Sequence, residues 1–204
     1  IAIAMFSPEL DVQLITTVSG NVSVEKTTHN ALRLMTLWNA GVPVAAGASR
    51  SLTGMRYDVG DTHGESGMDG FAFDEVTVQP VKLHAVEAMR RVLERSEEKV
   101  TLVPIGPLTN LALLFVQYPD VKEKIEEIVL MGGAFLRGNI TPATEFNIYV
   151  DPEAADIVFR SGLPIVMCGL ELANMARITG PMVDAVRGNN PTAEMIYRLF
   201  EHYR

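Results

Sequence analysis

Hydrophobic residues occur along this chain in two alternating patterns. Short uninterrupted runs, TLVPI at 101–105 and IVLM at 128–131, are typical of strands that are buried on both faces of a sheet. Longer segments carry apolar residues three or four positions apart, as Ala31, Leu34 and Met35 do, which predicts helices with one buried face. Because the two patterns alternate, the sequence predicts an α/β fold, with a mainly parallel sheet and helices on both faces.

The predicted elements follow one another without an internal repeat or a low-complexity linker, so we expect a single α/β domain over residues 1–204. Helices are predicted for 1–5, 22–39, 82–96, 108–117, 121–125, 151–160, 181–186 and 192–203. Strands are predicted for 10–18, 42–46, 100–105, 128–131 and 164–168, and a long loop region for 47–80. Because the chain begins in mid-pattern without an initiator methionine and stops inside a helical pattern, we expect it to be truncated at both ends.

Composition and charge narrow the class of protein. The chain has 204 residues, of which 48% are hydrophobic, which is enough for a folded domain with a real core. A net charge of -8 argues against a nucleic-acid backbone or an anionic membrane as partner, and no apolar run is long enough to cross a bilayer. The single cysteine, Cys168, excludes an intrachain disulfide and fits a reducing, cytoplasmic location.

The loops that leave the predicted strands hold most of the candidate chemistry. They cover residues 19–21, 61–67, 104–110 and 131–147, and the carboxyl ends of parallel strands are where open α/β sheets bind ligands. The last loop holds Asn139, Thr141, Thr144, Glu145 and Asn147. Carboxylates accept hydrogen bonds while amides donate and accept, so this loop suits a ligand rich in hydroxyl groups. A surface connection with ordinary turn chemistry is the alternative interpretation.

The histidines and the metal-binding motifs give weaker evidence about function than these loops do. His63, between Asp61 and Glu65, could shuttle a proton or contact a ligand, and a locally satisfied loop histidine is an equally good interpretation. The sequence has no HxxxH or CxxC spacing, although its loop carboxylates are compatible with a hard, oxygen-liganded ion such as Ca²⁺. It also lacks the GxxxxGK[ST], GxGxxG and GxSxG motifs of phosphate cradles, dinucleotide sites and nucleophile elbows. We expect the remaining histidines to be structural: His29, His84 and His202.

Six motifs together resemble the inosine-uridine preferring nucleoside hydrolase family over nearly the whole chain. They are TTVSGN, HGESGMDG, VPIGPLTNLA, IVLMGG, GN at 138–139 and EFNIYVDPEAA, and their order and spacing agree with the family. The resemblance implies a Rossmann-like nucleoside hydrolase fold and an enzyme that cleaves the N-glycosidic bond of ribonucleosides to ribose and free base. It also implies a tightly held Ca²⁺, a role in purine and pyrimidine salvage, and assembly as a homodimer or homotetramer.

Carried over by position, the resemblance assigns a set of residues to the nucleoside: Asn21, His63, Met131, Asn139, Glu145, Phe146 and Asn147. In this assignment His63 lies near the nucleobase and Met131 forms the floor of the ribose site. The backbone carbonyl of Ile105 is the expected Ca²⁺ ligand. No catalytic acid or base is assigned, because the family's DxDxGxxDD cluster and its C-terminal His-Asp pair have no counterpart in these 204 residues.

These departures leave three hypotheses for the function. Ribosyl cleavage passes through an oxocarbenium-like state and needs a positioned, activated water, which a metal ion can supply. The first hypothesis is therefore Ca²⁺-dependent hydrolysis by a full-length parent of this chain. The second is a degenerate or truncated homologue that binds ribosyl groups without catalysis, and the third is an α/β domain that binds some other polyol. The sequence does not distinguish purine from pyrimidine substrates.

Overall fold

The computed structural model describes residues 1–55 and 64–202. The strands are Ile15–Thr17 (β1), Val44–Ala46 (β2), Val100–Leu102 (β3), Ile125–Met131 (β4) and Ile165–Cys168 (β5). The helices are Ala2–Phe6 (α1), Val24–Leu37 (α2), Ala85–Arg95 (α3), Thr109–Gln117 (α4), Phe146–Val150 (α5), Pro152–Phe159 (α6), Leu170–Met175 (α7), Gly180–Val186 (α8) and Pro191–His202 (α9). Among these described helices, none is long and apolar enough to cross a membrane.

All strand pairs of the described residues are parallel, as the alternating pattern predicts. One sheet has the order β1-β2, with Ile15 opposite Val44, and the other has the order β3-β4-β5. In the larger sheet, Ile128 of β4 lies opposite Leu102 on one side and Ile165 on the other. The carboxyl ends of the three strands therefore lie along one edge, and the loops that follow them meet there.

The larger hydrophobic core surrounds β4. Ile125, Ile128 and Leu130 are almost completely buried, and they belong to one cluster with Leu114 of α4 and Val158 of α6. Each such side chain stabilises the fold by about 1.5–3 kcal/mol relative to an exposed position. The uninterrupted apolar run at 128–131 thus corresponds to a strand that is buried beneath helices, as the sequence predicted.

A second cluster forms on α2, whose apolar residues were predicted to share one face. Ala31, Leu34 and Met35 are buried there against Val44 of β2 and Met195 of α9. The helical spacing in this segment is therefore confirmed as a packing pattern.

Local side-chain caps fix where the helices begin. The Ser23 hydroxyl accepts a hydrogen bond from the Lys26 amide at the start of α2, and Asp151 accepts one from the Ala154 amide at the start of α6. Nδ1 of His84 accepts from the Val86 amide at the start of α3, so this histidine is structural, as expected.

Several element boundaries differ from the sequence-based prediction. β1 is three residues long rather than spanning 10–18, because its partner β2 offers only three residues for pairing. β4 begins at Ile125, where it pairs with Val100, so the short helix predicted for 121–125 is instead a 3₁₀ turn at Pro119–Lys124. Helices α5 and α7, of five and six residues, were not predicted from the sequence.

The side chain of Asn110 joins helix α4 to the smaller sheet. Its Nδ2 donates to the Thr17 carbonyl at 2.9 Å, at the end of β1, and its Oδ1 accepts from the Ala48 amide at 2.9 Å, just after β2. A Cβ atom at Gly47 would lie 2.3 Å from Oδ1 of Asn110 and 2.5 Å from the Thr17 carbonyl oxygen, so this position requires glycine. The buried amide of α4 thereby fixes both strand exits of the smaller sheet.

We expect Asn110→Ala to lower the free energy of unfolding by about 2–4 kcal/mol, because it leaves a buried carbonyl and a buried amide without partners. Urea unfolding followed by circular dichroism measures this difference. The matched control is Asn174→Ala, since Asn174 is an exposed residue within helix α7. Equal losses for the two variants would contradict the bridging role.

Candidate functional site

Asn147 brings together residues that the sequence predicted separately. Its Nδ2 donates to the Met131 carbonyl at 3.1 Å and lies 3.5 Å from the Ile105 carbonyl oxygen. Met131 ends β4 and Ile105 lies in the loop after β3, so the two strand exits meet at this amide. Carbonyl oxygens only accept hydrogen bonds, so the atom of the Asn147 side chain that faces them must be the donor, Nδ2. This fixes which way the side-chain amide is turned. Its Oδ1 accepts no hydrogen bond from the described residues.

Asn147 lies in helix α5, whereas the sequence predicted a loop there. Helix α5 places the Asn147 side chain over the end of β4, while its own first residue, Phe146, has a buried side chain. Phe146, which the resemblance assigns to the nucleoside, has 8% of its surface exposed and lies between Glu145 and Asn147 in the chain.

Glu145 is a buried carboxylate with one oxygen fixed by the backbone. It caps α5, is 3% exposed, and its Oε2 accepts from the amides of Gly133 at 3.0 Å, Asn147 at 2.9 Å and Ile148 at 3.4 Å. Its Oε1 accepts no hydrogen bond from any described residue. Since no fully buried side-chain oxygen lacks a partner in the described part of the chain, Oε1 must reach open space. The site therefore has a rigid carboxylate with one open acceptor.

Asn139 offers a hydrogen-bond donor, whereas Glu145 offers an acceptor. Its Oδ1 accepts from the Phe146 amide at 2.9 Å, and its Nδ2 makes no hydrogen bond within residues 1–55 and 64–202. The turn before it is tight, since a Cβ atom at Gly138 would lie 2.2 Å from the Thr144 carbonyl oxygen. Asn139 is thus held by its oxygen and offers its two N–H groups.

Of the two other residues predicted to contact the nucleoside, only one can be placed. Asn21 is exposed, in the turn after β1, and a Cβ atom at the preceding Gly20 would lie 3.0 Å from Cδ of Pro107. The turn with Asn21 therefore contacts the loop that holds Ile105. His63 lies outside the described residues.

The described residues do not form a complete Ca²⁺ site. Within residues 1–55 and 64–202, no three His, Cys, Asp or Glu side chains are grouped so that they could hold a metal. Ca²⁺ takes roughly 6–8 oxygen ligands, and the predicted contribution here is the Ile105 carbonyl alone.

Sequence reasoning did not identify the structural role of Asp151, which it treated only as a helix start. This carboxylate is completely buried. Its Oδ2 accepts from the Leu52 amide at 2.9 Å and from Oγ1 of Thr109 at 2.6 Å, and its Oδ1 accepts from the Ala154 amide. Asp151 thereby joins the loop after β2 to the first residues of α4 and α6.

Glu171 was also not singled out from the sequence. It lies in the first turn of α7, after β5, and its Oε1 accepts from the amides of Phe135 at 3.0 Å and Leu136 at 2.8 Å. An acidic residue directly after the carboxyl end of a predicted strand was the signal that could have identified it.

The chain shares its fold with known nucleoside hydrolases. A purine-preferring ribonucleoside hydrolase from Gardnerella vaginalis superposes with a TM-score of 0.91 at 32% identity, over 97% of this chain and 65% of that one. The plant nucleoside hydrolase PpNRh1 superposes with a TM-score of 0.91 at 33% identity, over 99% of this chain and 66% of that one. The fold thus defines the class of protein.

Sequence comparison identifies the family. The family described as inosine-uridine preferring nucleoside hydrolase matches residues 1–204, and the chain belongs to it. The non-specific ribonucleoside hydrolases RihC of Klebsiella pneumoniae and of Salmonella typhimurium are 53% and 52% identical over 204 residues. Those residues are the whole of this chain and 67% of each relative, so the chain spans about two thirds of the length of these proteins.

The geometry of Glu171 predicts how its loop responds to acid. Hydrogen bonds from the backbone amides of Leu136 and Phe135 favour the charged carboxylate and hold the pKa of Glu171 below its ordinary value of 4.5. A depressed pKa contributes stability that is present above the unfolded value and is lost as the pH falls through the folded value. In ¹H–¹⁵N spectra between pH 6 and 3, the Phe135 and Leu136 signals should therefore move together with a midpoint below 4.5. A midpoint at or above that value, or the same midpoint in Glu171→Gln, would contradict this assignment.

Proposed function

We propose that this chain acts in the hydrolysis of the N-glycosidic bond of ribonucleosides, which gives ribose and a free base. The arrangement of Glu145, Asn147 and Asn139 carries this proposal, because each has one polar atom fixed by the backbone and another without a partner among the described residues. The relatives support it, since the RihC proteins are named non-specific ribonucleoside hydrolases.

The open atoms match the chemistry of a sugar. Each ribose hydroxyl can donate one hydrogen bond and accept others. Oε1 of Glu145 and Oδ1 of Asn147 can accept from hydroxyls, while Nδ2 of Asn139 can donate to one. Because the backbone already fixes these side chains, binding costs little conformational entropy. Asn21 and Met131 complete the proposed ribose contacts, Phe146 lies beside them, and His63 is the proposed contact near the nucleobase.

These residues bind and orient the ribosyl group and do not supply the acid or the base. Hydrogen bonds to sugar hydroxyls strengthen as the ring approaches the oxocarbenium-like transition state, so binding of this kind also lowers the barrier. The second acceptor, Asn147, is neutral, which leaves Glu145 as the one charged group proposed to contact ribose within the described site. The negative charge of its open oxygen suits a ring that becomes positive.

Ca²⁺ is the metal that we propose for this function, with the Ile105 carbonyl as one ligand. A single carbonyl does not fill a shell of roughly 6–8 oxygens, so the proposed site needs further oxygen ligands. We expect ribose release from inosine and uridine to be lost in EGTA and restored by added Ca²⁺. Full activity in the chelator would contradict the metal requirement without affecting the proposed ribose contacts.

We also propose a class of binding partner, a cellular location and an oligomeric state for this protein. The net charge of -8 supports a small-molecule nucleoside as the partner rather than a nucleic acid or a membrane. The single cysteine supports a cytoplasmic location, and nucleoside hydrolysis there fits purine and pyrimidine salvage. A homodimer or homotetramer follows from the family resemblance, and sedimentation of the purified chain measures it.

We expect Glu145→Gln to weaken inosine binding by roughly 10- to 100-fold, because the open charged acceptor is lost. A glutamine carbonyl can still accept from the backbone amides, so the free energy of unfolding should change by only about 1 kcal/mol or less. Isothermal titration calorimetry with inosine, uridine and unrelated sugars measures the binding, and a ribose-release assay measures the hydrolysis. Glu153→Gln is the matched control, since Glu153 is exposed in the first turn of α6.

Different results would contradict the role of Glu145 and the proposed hydrolysis of ribonucleosides. Unchanged inosine affinity in Glu145→Gln would exclude the proposed role of Glu145. Failure of the unsubstituted chain to bind any ribonucleoside, or equal binding of unrelated sugars, would contradict the proposed function itself.

A further inference from the structure

The loop between the proposed ribose contacts Met131 and Asn139 is held from two sides. On one side, the Gly133 amide donates to Oε2 of Glu145 at 3.0 Å. On the other side, the Phe135 and Leu136 amides donate to Oε1 of Glu171, at 3.0 and 2.8 Å. The Leu170 amide also donates to the Gly133 carbonyl at 2.9 Å, so the first two residues of α7 both bind this loop.

The side chains of the loop contribute little to its anchoring. Phe135 is 87% exposed and Leu136 is 80% exposed, so neither packs into a hydrophobic cluster of the described residues. Two backbone hydrogen bonds to a charged acceptor are therefore the main contacts that define where this segment lies. Hydrogen bonds of this kind are stronger than those between neutral groups.

We propose that Glu171 is a positioning residue for the ribose-binding loop. It acts through the backbone of Phe135 and Leu136, which places the following turn and thereby sets the position of Asn139 relative to Glu145. Its effect on the ligand rests on the function proposed above, whereas its effect on Asn139 does not.

The path from Glu171 to Asn139 is short. Gly138 follows Leu136 by two residues, and its amide donates to the Pro142 carbonyl at 3.1 Å, in a turn where a Cβ atom at this position would meet the backbone of Thr144. The Asn139 amide itself donates to the Thr144 carbonyl at 3.2 Å, and Oδ1 of Asn139 accepts from the Phe146 amide. Because only Arg137 and Gly138 separate Leu136 from Asn139, the position of Leu136 limits where this turn and the open Nδ2 of Asn139 can lie.

The first test uses spectroscopy on the chain without ligand. In Glu171→Ala we expect the Phe135 and Leu136 amide signals and the Asn139 side-chain amide signals to shift. In Glu171→Gln they should return close to their original positions, because the glutamine carbonyl can accept both hydrogen bonds. Glu153→Ala is the matched control, since Glu153 is the second residue of α6 as Glu171 is the second residue of α7. If the Asn139 side-chain signals stay unchanged in Glu171→Ala, the proposal is wrong.

The second test is a double-mutant cycle on inosine affinity. Glu171→Ala alone should weaken binding by roughly tenfold, as a small displacement of a binding group does. In an Asn139→Ala background the same change should have no further effect, because the group it positions is already absent. Additive losses would overturn the proposal. If the unsubstituted chain binds no inosine, the proposed function fails, and the Asn139 signals still decide the role of Glu171.

Discussion

The buried amide of Asn110 is the interaction on which the arrangement of this structure depends. β1 and β2 form one sheet and β3, β4 and β5 form another, and among the described strands no ladder joins the two. Asn110 satisfies a carbonyl at the end of β1 and an amide after β2, and helix α4 carries it next to the larger sheet. Few other residues can replace an asparagine buried this deeply, because losing either hydrogen bond leaves a buried backbone group without a partner. The two strand exits of the smaller sheet are thereby held against helix α4, which packs on the larger sheet.

Carboxylates then organise the loops at that edge. Asp151, Glu145 and Glu171 each accept at least two hydrogen bonds, mostly from backbone amides, and each joins segments that are distant in sequence. Backbone amides are fixed donors, so a carboxylate that binds them is held rigidly without a second charged residue. In Glu145 this arrangement leaves one oxygen without a partner among the described residues, and that atom is the one proposed to bind a ligand.

Family membership and site geometry support the same function from different directions. The relatives establish the kind of enzyme, and the open atoms of Glu145, Asn147 and Asn139 are the groups that we propose to bind the ribosyl group. Within residues 1–55 and 64–202, no three His, Cys, Asp or Glu side chains are grouped so that they could hold a metal.

The sequence by itself determined the fold class and most of the candidate site. Alternating apolar runs predicted a parallel sheet with covering helices, and the motif around Glu145 identified the residues that meet at Asn147. Only the tertiary structure decided which atoms of those residues remain open and which other residues hold them. Asn110 bonds groups 62 and 93 residues away, and Glu171 binds amides 35 and 36 residues earlier in the chain. Such contacts leave no periodic signal in a sequence, because they depend on where strands end in space rather than on the spacing of apolar residues.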